Sequence, residues 1–119
     1  MQTLKTFGLK YVVISGILVS AFVLLMGFKN SENTHKPVSH TVTIFKMKYN
    51  PEHLVVNKGD TVMWINKDFY QHDVTDFPAK KWTSKPFNKG ESWSKVITED
   101  IDYFCNLHKV MKGTIRLVK

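Results

Sequence analysis

After residue 40, no stretch of this chain keeps an apolar repeat of 3.6 residues. That excludes amphipathic helices and leaves sheet as the way to bury the apolar side chains. The apolar residues come in short alternating runs. "TVTIFKMKY" puts Val42, Ile44 and Lys46 on one parity, and Thr41, Thr43, Phe45 and Met47 on the other. "HLVVNKGDTVMWIN" reads as two strands split by Asn57-Lys58-Gly59-Asp60, a strong turn signal. "ESWSKVIT" follows Asn88-Lys89-Gly90, "DYFC" is short and β-prone, and "GTIRLVK" places Ile115 and Leu117 on one face. Many short strands separated by turns predict an antiparallel sandwich or barrel. A domain of this size buries only about two-thirds of its unfolded surface, so a cross-link would help it. Trp64, Trp82, Trp93, Phe77, Phe87, Tyr103 and Phe104 supply bulk for the core, and a bound metal would supply the cross-link.

The first 28 residues have a different character. Lys5 and Lys10 precede an uncharged run, "YVVISGILVSAFVLLMGF", over residues 11–28. As a helix this run would reach roughly 27 Å, close to the apolar thickness of a bilayer. Positive charge ahead of an apolar run directs the remainder of a chain out of the cytoplasm. Residues 1–28 therefore read as a signal peptide or an N-terminal membrane anchor. Val19-Ser20-Ala21 is a candidate cleavage site, yet the apolar run continues past it, which favours an anchor. Residues 29–39 read as a polar tether and residues 40–119 as the folded domain. The expected location is periplasmic, with residues 11–28 either cleaved or holding the chain to the inner membrane.

Export makes the single cysteine, Cys105, anomalous. A disulfide within the chain needs two, and a bare thiol outside the cell is an oxidation liability. In "CNLHKVMKG", His108 follows Cys105 by three residues and Met111 follows by three more. The strand-like flanks and Gly113 make this a tight loop that can turn all three side chains to one point. Thiolate, imidazole and thioether together select copper over zinc or a hard cation. A second imidazole would complete a three-coordinate site with a weak axial sulfur. Among His35, His40, His53 and His72, the first two lie in the tether, and His53 follows Pro51 just before a strand. His72 sits in a loop beside the core and is the ligand chosen; the other three read as solvated.

With these residues in view, the chain resembles the cupredoxins, small blue-copper proteins of the plastocyanin, pseudoazurin and amicyanin type. The resemblance spans residues 41–119. It is carried by "MKYNP" with Leu54 and Val56, then "GDTVMWINKD", "HDV", "KGESW" and "YFCNLHKVMKGTI" in order. It implies an all-β Greek-key β-sandwich of about eight strands. It further implies one copper ion per chain, cycling between Cu(I) and Cu(II), with His72, Cys105 and His108 as equatorial ligands and Met111 as the axial one. Three departures stand out. Lys109 replaces the proline that usually follows the second histidine. Asp73 stands where several members have an asparagine tying the copper loops together, so its link to the cysteine loop must differ. Glu99 occupies a common glycine position in the turn before "DYFC".

The function expected is one-electron transfer on the periplasmic side of the membrane, by a monomer, with redox partners such as a cytochrome or a terminal oxidase or reductase. The alternative is a periplasmic copper-handling protein, a chaperone or scavenger that would use the tether histidines. No Ser-His-Asp set and no paired carboxylates are present, so an enzyme is not expected. Seventeen Lys and Arg stand against ten Asp and Glu, a net +7. The charge is scattered, without an Arg-rich block or nucleic-acid motif, which argues against nucleic acid and leaves solubility or attraction to an acidic partner. Phe69, Tyr70, Leu107 and Val110 flank the ligand loops and are candidates for a docking patch. Met47 and Trp64 read as core.

Overall fold

A computed structural model describes residues 35–119; the proposed signal or anchor and residues 29–34 of the tether lie outside the described residues. The described residues contain eight strands and no helix. These are β1 (Ser39–Phe45), β2 (Lys48–Asn50), β3 (His53–Val56), β4 (Thr61–Asn66), β5 (Thr75–Asp76), β6 (Ser92–Val96), β7 (Ile101–Phe104) and β8 (Lys112–Leu117). They form two four-stranded sheets, ordered β2-β1-β4-β6 and β3-β8-β7-β5. The chain changes sheet at every connection from β2 to β7, so neither sheet is built from one continuous stretch. The result is the all-β, eight-stranded sandwich implied by the resemblance. The pairing is mixed rather than purely antiparallel, because β1 runs parallel to β4 and β3 parallel to β8.

Alternation decides which side chains meet between the sheets. In β4, Val62, Trp64 and Asn66 point inward and are buried, while Thr61, Met63 and Ile65 are half-buried on the other face. In β1, Val42 and Ile44 join them. From the second sheet come Val56, Ile101, Tyr103 and Ile115. "TVTIFKMKY" is not one strand. It breaks at Lys46 and Met47, both at positive φ, so Lys46 leaves the parity of Val42 and Ile44 and is exposed. The amide of Met47 donates to Asp68 Oδ2 at 2.8 Å, which holds this turn against the loop after β4.

Gly113 in β8 answers a close approach. A Cβ there would run into the ring and hydroxyl of Tyr103, so only glycine lets β8 pass the tyrosine. At the other end, Asp60 is fully buried at the start of β4. Its carboxylate accepts the amides of Val38 and Asn57, each at 3.0 Å, and Nε2–H of His35 (2.6 Å) and of His40 (2.8 Å). The two tether histidines expected in solvent are thus bound to the domain. His53 is exposed, with its Nδ1 2.9 Å from Thr114 Oγ1.

Candidate metal centre

Three loops meet at one end of the sandwich. The loop after β4 carries His72, which is fully buried and bridges Phe87 through paired backbone hydrogen bonds. The β7–β8 connection carries Cys105, His108 and Met111. Its shape is set by its own backbone: Cys105 N–H donates to Met111 C=O at 3.1 Å, and Met111 N–H donates to His108 C=O at 2.9 Å. Asn66 ties the first loop to the segment before β6, since its Nδ2 donates to the carbonyls of Tyr70 and Phe87 and its Oδ1 accepts the Asp68 amide.

These loops bring His72, Cys105 and His108 together, with donor atoms all within 4.8 Å of one another. Cys105 Sγ lies 3.9 Å from His72 Nδ1 and 3.8 Å from His108 Nδ1, and the two Nδ1 atoms are 3.2 Å apart. Both imidazoles therefore present the same nitrogen to the centre. Met111 is buried in the same loop, at 2% exposure. His72 and Cys105 are closed to solvent, and His108 is half-buried.

A carboxylate behind His72 explains its orientation. Asp68 Oδ2 lies 3.2 Å from His72 Nε2. With Nε2–H donated there, Nδ1 keeps its lone pair for a metal, a common arrangement behind ligating histidines. Burial lowers the His72 pKa, and nearby His108 adds to this while Asp68 opposes it, so the ring is held in the neutral, ligating form. The Asp68 carboxyl lies below its usual range. Its own burial pulls upward, but the Met47 amide and His72 outweigh it. Burial also pushes the Cys105 thiol up, while the Asp73 amide, 3.5 Å from Sγ, pulls the other way.

Asp73 resolves the question raised by its place in the sequence. It cannot donate through its side chain, so it accepts: Oδ1 takes the amide of Asn106 at 2.8 Å and the hydroxyl of Thr75 at 3.1 Å. Asn106 Nδ2 in turn donates to Thr75 Oγ1 at 2.8 Å. The two copper loops are thus joined by an acidic residue with its donors supplied from the cysteine loop and from β5. Sequence reasoning missed Asp68, Asn66, Thr75 and Asn106. For Asp68, a carboxylate four residues before the chosen histidine was the only available signal.

The donor chemistry fits copper. Asp68 and Asp73 are engaged with backbone amides, so no carboxylate is among the three clustered donors. A buried thiol with two imidazole nitrogens and a thioether in the same loop is a soft set that disfavours hard cations. Around it, Phe69 (84%) and Val110 (86%) are strongly exposed, as are Tyr70 and Leu107. The Tyr70 and His108 rings lie 6.2 Å apart, and Lys89 Nζ stands 3.8 Å from the centroid of Phe69.

Comparison with known proteins agrees with this geometry. The family model of copper binding proteins of the plastocyanin/azurin family matches residues 36–118. The chain is similar to amicyanin of Paracoccus denitrificans, 36% identical over 80 residues, which make up 62% of this chain and 61% of that protein. Amicyanin of Paracoccus versutus is 29% identical over 83 residues, with the same coverage. The chain thus spans about three-fifths of the length of these relatives. Among solved structures, a reduced amicyanin variant superposes with a TM-score of 0.63 at 30% identity, over 67% of this chain and 82% of that one. A copper-containing nitrite reductase from Thermus scotoductus SA-01 also gives 0.63, at 23% identity, over 71% of this chain and 23% of its own. That likeness is one of fold alone.

Proposed function

Because the chain belongs to the plastocyanin/azurin family of copper-binding proteins, we propose that it is a type 1 copper protein that shuttles single electrons between redox proteins on the periplasmic side of the membrane. The observation that carries this reading is the buried convergence of Cys105 Sγ with Nδ1 of His72 and His108. His72, Cys105 and His108 would hold the metal equatorially and Met111 axially. Copper held there supplies a one-electron couple between Cu(I) and Cu(II).

The chain's own contribution is to keep the donors in place. Asp68 orients His72, the Asp73 amide reaches Cys105 Sγ, and the Cys105–Met111 backbone bonds brace the loop. A site fixed by its surroundings need rearrange little when its charge changes. Among the three clustered donors, only His108 reaches solvent. Its ring edge is the natural exit for an electron, and Tyr70, Leu107 and Val110 offer an apolar surface for a cytochrome or a terminal oxidase or reductase. This arrangement supports a carrier rather than an enzyme. The copper-handling reading would draw on His35 and His40, which are already committed to Asp60. Export, with residues 11–28 as signal or anchor, belongs to the same proposal.

The test is the visible spectrum. Loading the protein with Cu(II) gives an intense blue or green thiolate charge-transfer colour, and Cys105→Ser removes it. A colourless Cu(II) complex of correctly folded protein defeats the reading.

A further inference from the structure

The core contains an uninterrupted line of aromatic rings that electron transfer through His108 does not use. Trp82, half-buried at the flank, stacks on Trp93 of β6 with centroids 5.9 Å apart. Trp93 lies 5.4 Å from Trp64 of β4, its cross-strand partner. Trp64 lies 5.3 Å from Tyr103, and Tyr103 lies 4.8 Å from Tyr49. The Tyr49 hydroxyl donates to the carbonyl of Asp73 at 2.5 Å, and the amide of that same residue reaches Cys105 Sγ. The three tryptophans of the chain therefore form one stack of neighbours, continued by two tyrosines to the sulfur of the metal centre.

We propose that Trp82, Trp93 and Trp64 are a relay that passes an electron outward from the reduced metal centre to refill an oxidised indole at the protein surface. The inference rests on the copper reading above. Indoles are among the most easily oxidised side chains, and a chain outside the cytoplasm meets one-electron oxidants. Tunnelling decays exponentially with distance, so several short steps outrun one long one. The first oxidation is at Trp82, which gives one electron to the oxidant and becomes a radical cation. Trp93 fills that vacancy, Trp64 fills the vacancy on Trp93, and the reduced centre fills the vacancy on Trp64. One electron moves, and the balance is one Cu(I) oxidised to Cu(II) per oxidant reduced.

Two features keep the vacancy from being trapped on the way. An indole radical cation is normally fixed in place by losing its N–H proton, but Trp64 Nε1 is buried and has no hydrogen-bond partner. Tyrosine oxidation requires a base to take the phenol proton. The Tyr103 hydroxyl is buried and hydrogen-bonded to no base, and that of Tyr49 faces a backbone carbonyl, which is not a base. The tyrosines therefore act as a bridge for the last step rather than as a resting place. At the outer end, Lys95 Nζ sits 4.8 Å from the Trp82 centroid, and its positive charge disfavours a vacancy resting there.

The test uses the full-length, copper-loaded protein, with azide radical generated by a radiolysis pulse as the one-electron oxidant. The charge-transfer colour of the Cu(II) form first checks the copper reading on its own. The expected result is an indole radical that decays severalfold faster in the Cu(I) protein than in the Cu(II) protein, in step with growth of the Cu(II) colour. Trp93→Phe, at a half-buried site, removes that difference while leaving Trp82 to be oxidised. Indole lifetimes that do not depend on the redox state of a protein showing the colour overturn the relay and leave the copper reading standing. A Trp93→Phe protein that keeps the full acceleration also overturns it. The comparison of the two redox states needs no variant, so it decides the matter even if the substitution unfolds the chain.

Discussion

Asp68 is the residue whose role depends most on the folded arrangement. It lies in the loop after β4, and its Oδ2 serves both the Met47 amide and His72 Nε2. It therefore couples the β1–β2 turn to a metal ligand. Asp68→Asn keeps the size and one acceptor oxygen but loses the charge that draws the His72 proton. Residues standing behind a ligand in this way typically contribute about 10–100-fold in metal affinity. The lower end of that range is expected here, measured by competition against a copper chelator, with the colour retained. Unchanged affinity would reduce Asp68 to a holder of the Met47 turn. The ligand triad was legible in the sequence because a lone thiol on a chain expected to be exported, with His and Met at regular spacing, is the donor set of a soft metal. The residues behind the triad were not, because Asp68, Asn66 and Thr75 act through contacts between elements. Asp73 was legible by half: its inability to donate was clear, and its acceptance of the Asn106 amide required the fold.

At the scale of elements, turn chemistry located most strand ends. Asn57-Lys58-Gly59-Asp60 separates β3 from β4, and Asn88-Lys89-Gly90 precedes β6, with Gly59 and Gly90 both at positive φ. The break at Lys46–Met47 left no such mark, since neither residue favours positive φ and a tertiary hydrogen bond to Asp68 holds it. The two-residue β5 was equally hidden, being defined by its pairing with Phe104 and Tyr103 and by a bridge from Thr75 to Thr83. Parallel pairing of β1 with β4 was not legible either, because alternation fixes a face and not a direction. That pairing is locked at its start by Asp60, and its lock has a pH signature. The Asp60 carboxyl is held well below the usual range, chiefly by the Val38 amide, with His40, His35 and the Asn57 amide adding to it against the cost of burial. A carboxyl with a depressed folded pKa adds stability above its unfolded value of about 3.9, and that contribution is lost as pH falls toward the folded value. The titratable groups facing it are His35 and His40. Asp60→Asn should therefore lower the urea midpoint at pH 7, and the gap from the parent should shrink below about pH 4. A gap that stays constant down to the acid limit would mean that Asp60 acts by shape alone.

At the largest scale, the described residues carry their chemistry at one end and the Asp60 lock at the other, on opposite ends of β4. Among the described residues, the metal end joins an exposed apolar surface to lysines: Lys89 against Phe69, and Lys109 directly after His108. The acids nearest the centre, Asp68 and Asp73, are buried and bonded inward, so they do little to offset that charge at the surface. With a net +7 over the chain, an incoming acidic redox partner would be drawn to this end before any contact forms. Rim charges of this kind act mainly on the association rate, and salt screens them over about 10 Å at 0.1 M. Lys109→Glu reverses one such charge without touching a donor atom. Its visible spectrum should match that of the parent. Its second-order rate of electron exchange with an acidic redox protein, measured by stopped flow, should be lower at low salt and converge on the parent rate as salt rises. Equal rates at low salt would place Lys109 outside the encounter surface or send the electron out by a route other than His108. A slower rate that persists at high salt would instead mean that the substitution disturbs the packed contact itself.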